Sequence, residues 1–423
     1  DLTDSKRIAL STGLDWNSES DSTFDRIKLQ GFVNTMQYEN EYQVRNTADS
    51  GDDENTFDDL NQDSYGLNLQ LTNDIKGEKF DHKITYGFEG SKLDGSRLRT
   101  NVEIDADTTE KYKSNPDSET TKIGFYVQDE ISTDKWDFIL GLRYDHVEID
   151  AISDEEWFAT DEVTNNAGES GFNRDVVGEP HDFNDGHLAP SIKALYRIND
   201  NTNVYAKYDR GFRAPTWDET NSSRIGVYPI TFHEIFGFPT AYFGYVTTGN
   251  PDLKAETSDN FEIGLKTNSS KSDLSVAAFY SKYNDFLDKS ARDGTTTITG
   301  PLGSIFGVPV IRTANVDDVN IWGLELNNVY YFNERYQGLS IGNSISYQKG
   351  ENETEDEPLH TIQPFTIINN ISYVFPNQKL SASFINTYVG QPTKRSDYTD
   401  YVPESYVTTD LGLGYKFSDN FTS

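Results

Sequence analysis

His233 stands out among the residues whose chemistry could serve a ligand. It lies in Thr231–Phe236, which reads TFHEIF. Phe232, Ile235, Phe236 and Phe238 surround it, with Tyr228, Tyr242, Phe243 and Tyr245 nearby. Imidazole is a good iron ligand and tyrosine phenolate is another. Rings at this density offer apolar walls on a segment that reads as a long loop, and loops on rigid scaffolds commonly bind. Arg210, Arg213, Arg224 and Lys254 can pair with carboxylates of a ligand. Asp209, Asp218, Glu219 and Glu234 are equally available to neutralise them. A plainer reading stands beside this one: the rings pack the loop onto itself, and His233 is one polar member of it.

The remaining chemistry is sparse. His82 and His146 fall in or beside strand-like segments, and His146 follows the apolar face of its segment, which suits an interfacial role. His181 and His187 flank Asp182 and Asp185, a candidate surface metal site, and His360 precedes a strand. Met36 is the only methionine and there is no cysteine, so disulfides, zinc-thiolate sites and thiol catalysis are excluded. A phosphate-cradling loop and a His-Glu-x-x-His helix are both missing; Gly237 stands where the second histidine would be. The sequence therefore predicts no enzyme. A net charge of −34 argues against nucleic-acid binding, which needs cationic neutralisation of phosphates. The acid gathers in runs such as Asp49–Asp63 and Glu351–Glu357, which read as solvated loop surface or, alternatively, as divalent-cation sites.

Composition limits the scaffold that must carry these residues. Mean hydropathy is −0.68, and no stretch approaches the roughly 18 apolar residues of a spanning helix. A transmembrane β-barrel remains open, because its strands need an apolar residue only at every second position. Aromatic residues make up 13% of the chain, which favours an ordered, β-rich protein over an acidic disordered one.

Alternation with period two recurs along the chain. Trp136, Phe138, Leu140, Leu142 and Tyr144 share one face, and Asp137, Gly141, Arg143 and Asp145 the other. The same pattern marks about fifteen strand candidates, near 7–16, 23–45, 63–73, 82–93, 122–131, 136–149, 187–197, 201–209, 258–267, 272–286, 320–332, 339–349, 365–375, 379–389 and 406–417. Their connections alternate short and long. The long ones lie near 46–62, 94–121, 150–186, 210–257, 287–319, 350–364 and 390–405. A meander whose two ends differ so consistently has two different sides, as transmembrane barrels do, with short periplasmic turns and long extracellular loops. The loops near 150–186 and 210–257 are then extracellular. An odd strand number leaves unpaired edges that lipid does not tolerate, so the wall is expected to be incomplete.

Specific stretches resemble those of TonB-dependent outer-membrane receptors. Asn203–Pro215 (NVYAKYDRGFRAP) carries a Phe-Arg-Ala-Pro box at Phe212, Arg213, Ala214 and Pro215. Thr248–Lys266 (TGNPDLKAETSDNFEIGLK) carries an Asn-Pro-Asp-Leu box at Asn250, Pro251, Asp252 and Leu253. Ile123–Tyr144, Ile321–Leu326, Pro364-Phe365 and Tyr406–Phe421 are also similar to the family's hairpins. The resemblance implies an all-β, transmembrane antiparallel barrel of 22 strands closed inside by a plug. On that count residues 1–423 form a partial, C-terminal β-barrel domain of about fifteen strands. The signal, TonB-contacting segment, plug and first strands would precede it, and the last strands would follow.

Within the family, paired boxes with a histidine between them resemble haem and haemoglobin receptors. The resemblance thus implies uptake of haem, or of haem from haemoproteins, into the periplasm. Haem would be transported cargo and not an intrinsic cofactor. His233 is the candidate ligand to its iron, and Arg213, Tyr228, Tyr242 and Tyr245 are candidate cargo contacts. Arg213, Pro215 and Asn250 also suit a role in fixing loop geometry, since Pro215 and Pro251 restrict their backbone. The implied partners are outer-membrane lipid and the TonB-ExbB-ExbD complex, acting through the plug. A ferric-siderophore receptor is the alternative cargo class, and a passive channel or adhesion barrel the alternative of another kind.

Overall fold

The computed structural model describes residues 2–18, 23–44, 54–104, 108–153, 157, 179–222, 224–230, 241–300, 303–316, 318–354, 357–359, 362–392, 403–418 and 421–422. The chain is almost entirely β. The first half contributes β1 (Leu2–Asn17), β2 (Arg26–Val44), β3 (Glu54–Ile75), β4 (Asp81–Glu103), β5 (Thr108–Tyr112), β6 (Asp117–Ser132), β7 (Trp136–Ile152), β8 (Phe183–Asn199) and β9 (Thr202–Arg213). A one-turn helix, α1 (Trp217–Asn221), and the hairpin of β10 (Arg224–Ile230) and β11 (Ala241–Thr247) follow. The second half contributes β12 (Glu256–Asn268), β13 (Ser272–Asn284), β14 (Phe286–Gly300), β15 (Gly303–Val316), β16 (Val319–Tyr331), β17 (Gly338–Asn352), β18 (Glu357–Pro358), β19 (Thr366–Val374), β20 (Leu380–Val389), β21 (Tyr406–Ser418) and β22 (Phe421–Thr422).

Fifteen of these strands form one antiparallel wall. Its order follows the chain through β1, β2, β3, β4, β6, β7, β8 and β9. The wall then steps from β9 to β12, and from β13 to β16, because the hairpins between them leave it. It ends through β17, β19, β20 and β21. All fifteen strand candidates fall on these elements.

The wall hides little of its apolar surface from its surroundings. Leu140, Leu142 and Tyr144 are each 43% exposed, and Leu411 is 82% exposed. Such continuous apolar exposure marks a surface whose solvent is not water. Aromatic rings border it at both ends. At the short-turn end Trp136 lies 4.7 Å from Tyr196, and Tyr330 5.0 Å from Phe332. At the long-loop end Tyr208 lies 5.0 Å from Phe261, and Trp322 5.6 Å from Tyr347. Trp136 and Tyr144 are eight residues apart, as are Trp322 and Tyr330. At about 3.4 Å per residue that is about 27 Å along the strand, or about 20 Å of height at the strand tilt of a transmembrane barrel, most of its apolar band. No helix among the described residues is long and apolar enough to cross a membrane.

The opposite face is polar. Arg143 pairs with Glu89 and with Asp145, each at 2.7 Å, and Lys207 with Glu262 at 2.8 Å. Tyr205 donates to Glu262 at 2.7 Å, and its ring covers Gly264, where a Cβ would lie 2.5 Å away. Bare glycine beside a cross-strand aromatic lets the ring lie flat on the sheet.

Several strands run further than their apolar pattern. β3 and β4 stay paired from Ile75–His82 to Glu54–Glu103, whereas alternation marks only 63–73 and 82–93. Beyond the rim both faces meet water, so no apolar alternation is required. There Asp58 is buried against Arg97, at 2.8 Å, and Arg99, at 3.1 Å. Burial alone would raise its pKa, but the two guanidiniums hold it below the usual carboxylate range. The long segments 210–257 and 287–319 are likewise not plain loops: each carries a paired hairpin.

Candidate functional site

The two boxes lie at the same rim, on the side of the long connections. Arg213 and Glu256 are opposite one another at the ends of β9 and β12. Beyond Arg213 the chain passes Pro215, whose ring restricts the backbone where it leaves the strand, and forms α1. Thr216 is the N-cap, and its backbone N–H donates to the Glu219 carboxylate three residues on, at 2.8 Å. Glu219 is 2% exposed. It also accepts from Arg213 Nη1, at 3.0 and 3.1 Å, and pairs with Lys289 Nζ at 3.2 Å. Burial pushes the Glu219 pKa up, but the Thr216 amide and the two cations outweigh it and hold the carboxyl below its ordinary value.

Asn250 closes the other box. Its backbone N–H donates to the Thr220 carbonyl at 3.0 Å, and its Oδ1 accepts from the Asp252 N–H at 3.0 Å, an Asx turn. Its Nδ2 donates to the Thr313 carbonyl at 2.9 Å. Gly249 makes the close approach possible, since a Cβ there would run into the Thr220 carbonyl. Asn221, at the end of α1, holds the backbone of His181 at two points: Oδ1 accepts at 2.7 Å and Nδ2 donates at 2.8 Å. The chain at His181, just before β8, is thereby tied to the same knot.

Beneath the knot lies a small apolar core. Val147, Ile149, Phe183 and Ala255 are buried together, with Phe212, Ala214 and Trp217 packed on them. His187 stacks flat on Phe212, with ring centroids 5.4 Å apart. A cavity of about 650 Å³ opens beside them, lined by Arg143, Asp145, Val147, Phe212, Arg213 and Trp217 among others. Its size falls in the range of small-molecule sites, and it combines apolar walls with a few charged groups. This geometry can seat the root of a long loop rigidly.

The sequence pattern described as "TonB dependent receptor-like, beta-barrel" matches residues 1–422. The chain belongs to the TonB-dependent receptor β-barrel family. That family consists of outer-membrane receptors and transporters and not of enzymes. A relative named hemoglobin and hemoglobin-haptoglobin-binding protein, from Haemophilus ducreyi, is 24% identical over 415 residues, covering 80% of the chain and 40% of the relative. Hemoglobin-haptoglobin utilization protein B of Neisseria meningitidis is 28% identical over 206 residues, covering 46% of the chain and 23% of the relative. The chain thus spans well under half the length of these two relatives. Among solved structures, the copper transporter OprC superposes with a TM-score of 0.71 at 16% identity, covering 98% of the chain and 58% of that protein. The siderophore receptor PirA from Acinetobacter baumannii gives 0.65 at 17% identity, covering 99% and 57%. These likenesses concern the barrel fold, which hosts more than one cargo.

Of the residues singled out from sequence, the structure brings Phe212, Arg213, Ala214, Pro215, Asn250, Pro251, Asp252 and Leu253 to one rim of the barrel. Arg213 is engaged by Glu219, and also lies 3.6 Å from Glu256. Tyr228, Tyr242 and Tyr245 fall on β10 and β11, where the register sets Tyr228 opposite Phe243, Tyr242 opposite Pro229 and Tyr245 opposite Gly226. His233 belongs to 231–240, outside the described residues, and His360 lies outside them as well. His181 and His187 are placed apart in function: one is held through its backbone, the other through its ring. The described residues contain no group of three or more side chains able to hold a metal ion.

Sequence reasoning missed Asn221, Lys289 and Thr313. It named Glu219 only as one counter-charge among four. The Thr216-x-x-Glu219 spacing of a capping box was the available signal. Lys289 and Thr313 approach through long-range pairing and leave no local pattern.

Proposed function

We propose that the chain is the wall and cargo-facing rim of a receptor that imports haem, or haem taken from haemoproteins, across the bacterial outer membrane. The observation that carries this reading is the joining of the two boxes, Phe212–Pro215 and Asn250–Leu253, at the root of one loop on the long-loop side. The segment so presented contains His233 and a high density of rings. Two relatives, one named for haemoglobin binding and one for haemoglobin-haptoglobin utilization, support haem over other cargo.

In this reading the long connections capture cargo outside the cell. The TonB-ExbB-ExbD complex energises release to the periplasm through a plug that is not part of residues 1–423. His233 ligates the haem iron, its imidazole serving as an axial ligand. Tyr228, Tyr242 and Tyr245 stand on the hairpin that leads into and out of the same segment. Arg213 acts on cargo indirectly, by holding the loop root through Glu219. Haem is cargo, so no covalent step is assigned to any residue.

Haemin titration of the full-length receptor tests this directly. A Soret shift is expected for the wild type and a weak or absent one for His233→Ala. An unchanged titration in the variant removes His233 as ligand. No haemin binding by the wild type, with uptake of a ferric chelate, moves the cargo to siderophores.

A further inference from the structure

Two successive long connections share one sheet. β10, β11, β15 and β14 pair in that order, and β11 runs parallel to β15, with Val246 opposite Val310 and Thr247 opposite Ile311. Parallel neighbours need a crossover. Here the crossover includes two strands of the barrel wall, β12 and β13. The chain thus leaves the first hairpin, passes down and up the membrane wall, and returns to pair with itself.

The joint is reinforced along its whole length. Thr248 N–H donates to the Ile311 carbonyl at 3.1 Å, and Asn250 Nδ2 to the Thr313 carbonyl at 2.9 Å. Lys254 and Asn315 exchange two bonds: the Lys254 N–H to Asn315 Oδ1 at 2.8 Å, and Asn315 Nδ2 to the Lys254 carbonyl at 2.9 Å. The Leu287 N–H donates to the Glu256 carboxylate at 3.0 Å. Lys289 crosses from β14 to the buried Glu219. Val246, Ile298 and Val308 are almost fully buried in the same four strands.

We propose that the hairpins β10–β11 and β14–β15 form one rigid capture element, and that they stay joined while cargo is bound and passed on. Parting them would leave the buried Asn250 Nδ2 without its Thr313 acceptor and take Lys289 away from the buried Glu219 carboxylate, and a buried polar group left without its partner costs more than a typical hydrogen bond contributes. The second hairpin, which carries none of the box residues, then helps set cargo affinity by fixing the angle of the first. Asn250 acts here as a positioning residue. The proposal rests on the receptor reading given above.

Residues 1–423 contain no cysteine, so Thr247→Cys with Ile311→Cys introduces a single designed pair into this part of the full-length receptor, between directly opposed residues. The disulfide is expected to form on oxidation, with haemin uptake by the locked receptor within about twofold of the reduced form. Failure of the pair to cross-link, or a loss of tenfold or more that reductant restores, overturns the proposal. Hydrogen exchange on Asn250→Ala, without cargo, supplies a readout independent of what is transported. One rigid body predicts that protection falls in β10–β11 and β14–β15 together; a fall confined to β10–β11 overturns it. If the wild type takes up no haemin, the cargo reading fails, while the exchange experiment still decides the joint.

Discussion

The Arg213 guanidinium lies 3.0 Å from the Glu219 carboxylate, six residues along the chain, and the two bridge the end of a wall strand to a helix that holds two other connections. Arg213 is partly exposed, whereas Glu219 is buried. The carboxylate is therefore the member that depends on the partnership: without Arg213, Lys289 and the Thr216 amide its charge would be strongly disfavoured.

This sets a pH dependence with a definite sign. The Glu219 pKa is lowered in the folded chain. Its contribution is therefore present above the ordinary carboxylate value and is lost as pH falls through the lowered value. Glu219→Gln should weaken the rim by about 1–2 kcal/mol at neutral pH, seen as faster proteolysis around 179–222. The gap between variant and wild type should close in acid. A gap that is constant with pH would show that ionised Glu219 does not hold the rim.

Gly249 permits the Thr220 carbonyl and Asn250 to meet. Gly249→Ala should push the end of α1 aside, at a cost of about 1–3 kcal/mol for overpacking. The Asn221 hold on His181 should loosen with it. Thermal unfolding and cleavage near His181 measure both effects. Unchanged values would mean that the backbone approach is not needed.

The two faces of the wall should respond oppositely to charge. Leu142 points to the apolar side in the middle of β7, so Leu142→Lys should cost about 2–4 kcal/mol in the bilayer and reduce the folded, heat-modifiable band on gels. Gln128 lies on the polar side, 3.1 Å from Glu130, and Gln128→Lys should leave that band intact. Equal damage from both would contradict the assignment of faces.

The membrane wall was legible in the sequence because lipid enforces it. Trp136, Phe138, Leu140, Leu142 and Tyr144 must alternate with polar residues wherever one face meets hydrocarbon. That demand ends at the rim, which is why Glu54–Gln62 pair as strand without an apolar pattern and escaped notice. The boxes at Phe212 and Asn250 were legible as motifs, and the Thr216-to-Glu219 spacing encodes a helix start. The shared sheet was not legible. Thr247 and Ile311 are brought together by the wall strands between them, and Lys289 reaches Glu219 only once both hairpins are in place. Long-range parallel pairing leaves no periodic trace in either segment.

The central claim concerns cargo, and growth tests it most directly. A strain lacking the receptor should lose growth on haem or haemoglobin as sole iron source and keep growth on ferric siderophores, with haem growth restored by the intact gene but not by His233→Ala. Undiminished growth on haem together with lost growth on a ferric siderophore would contradict the account.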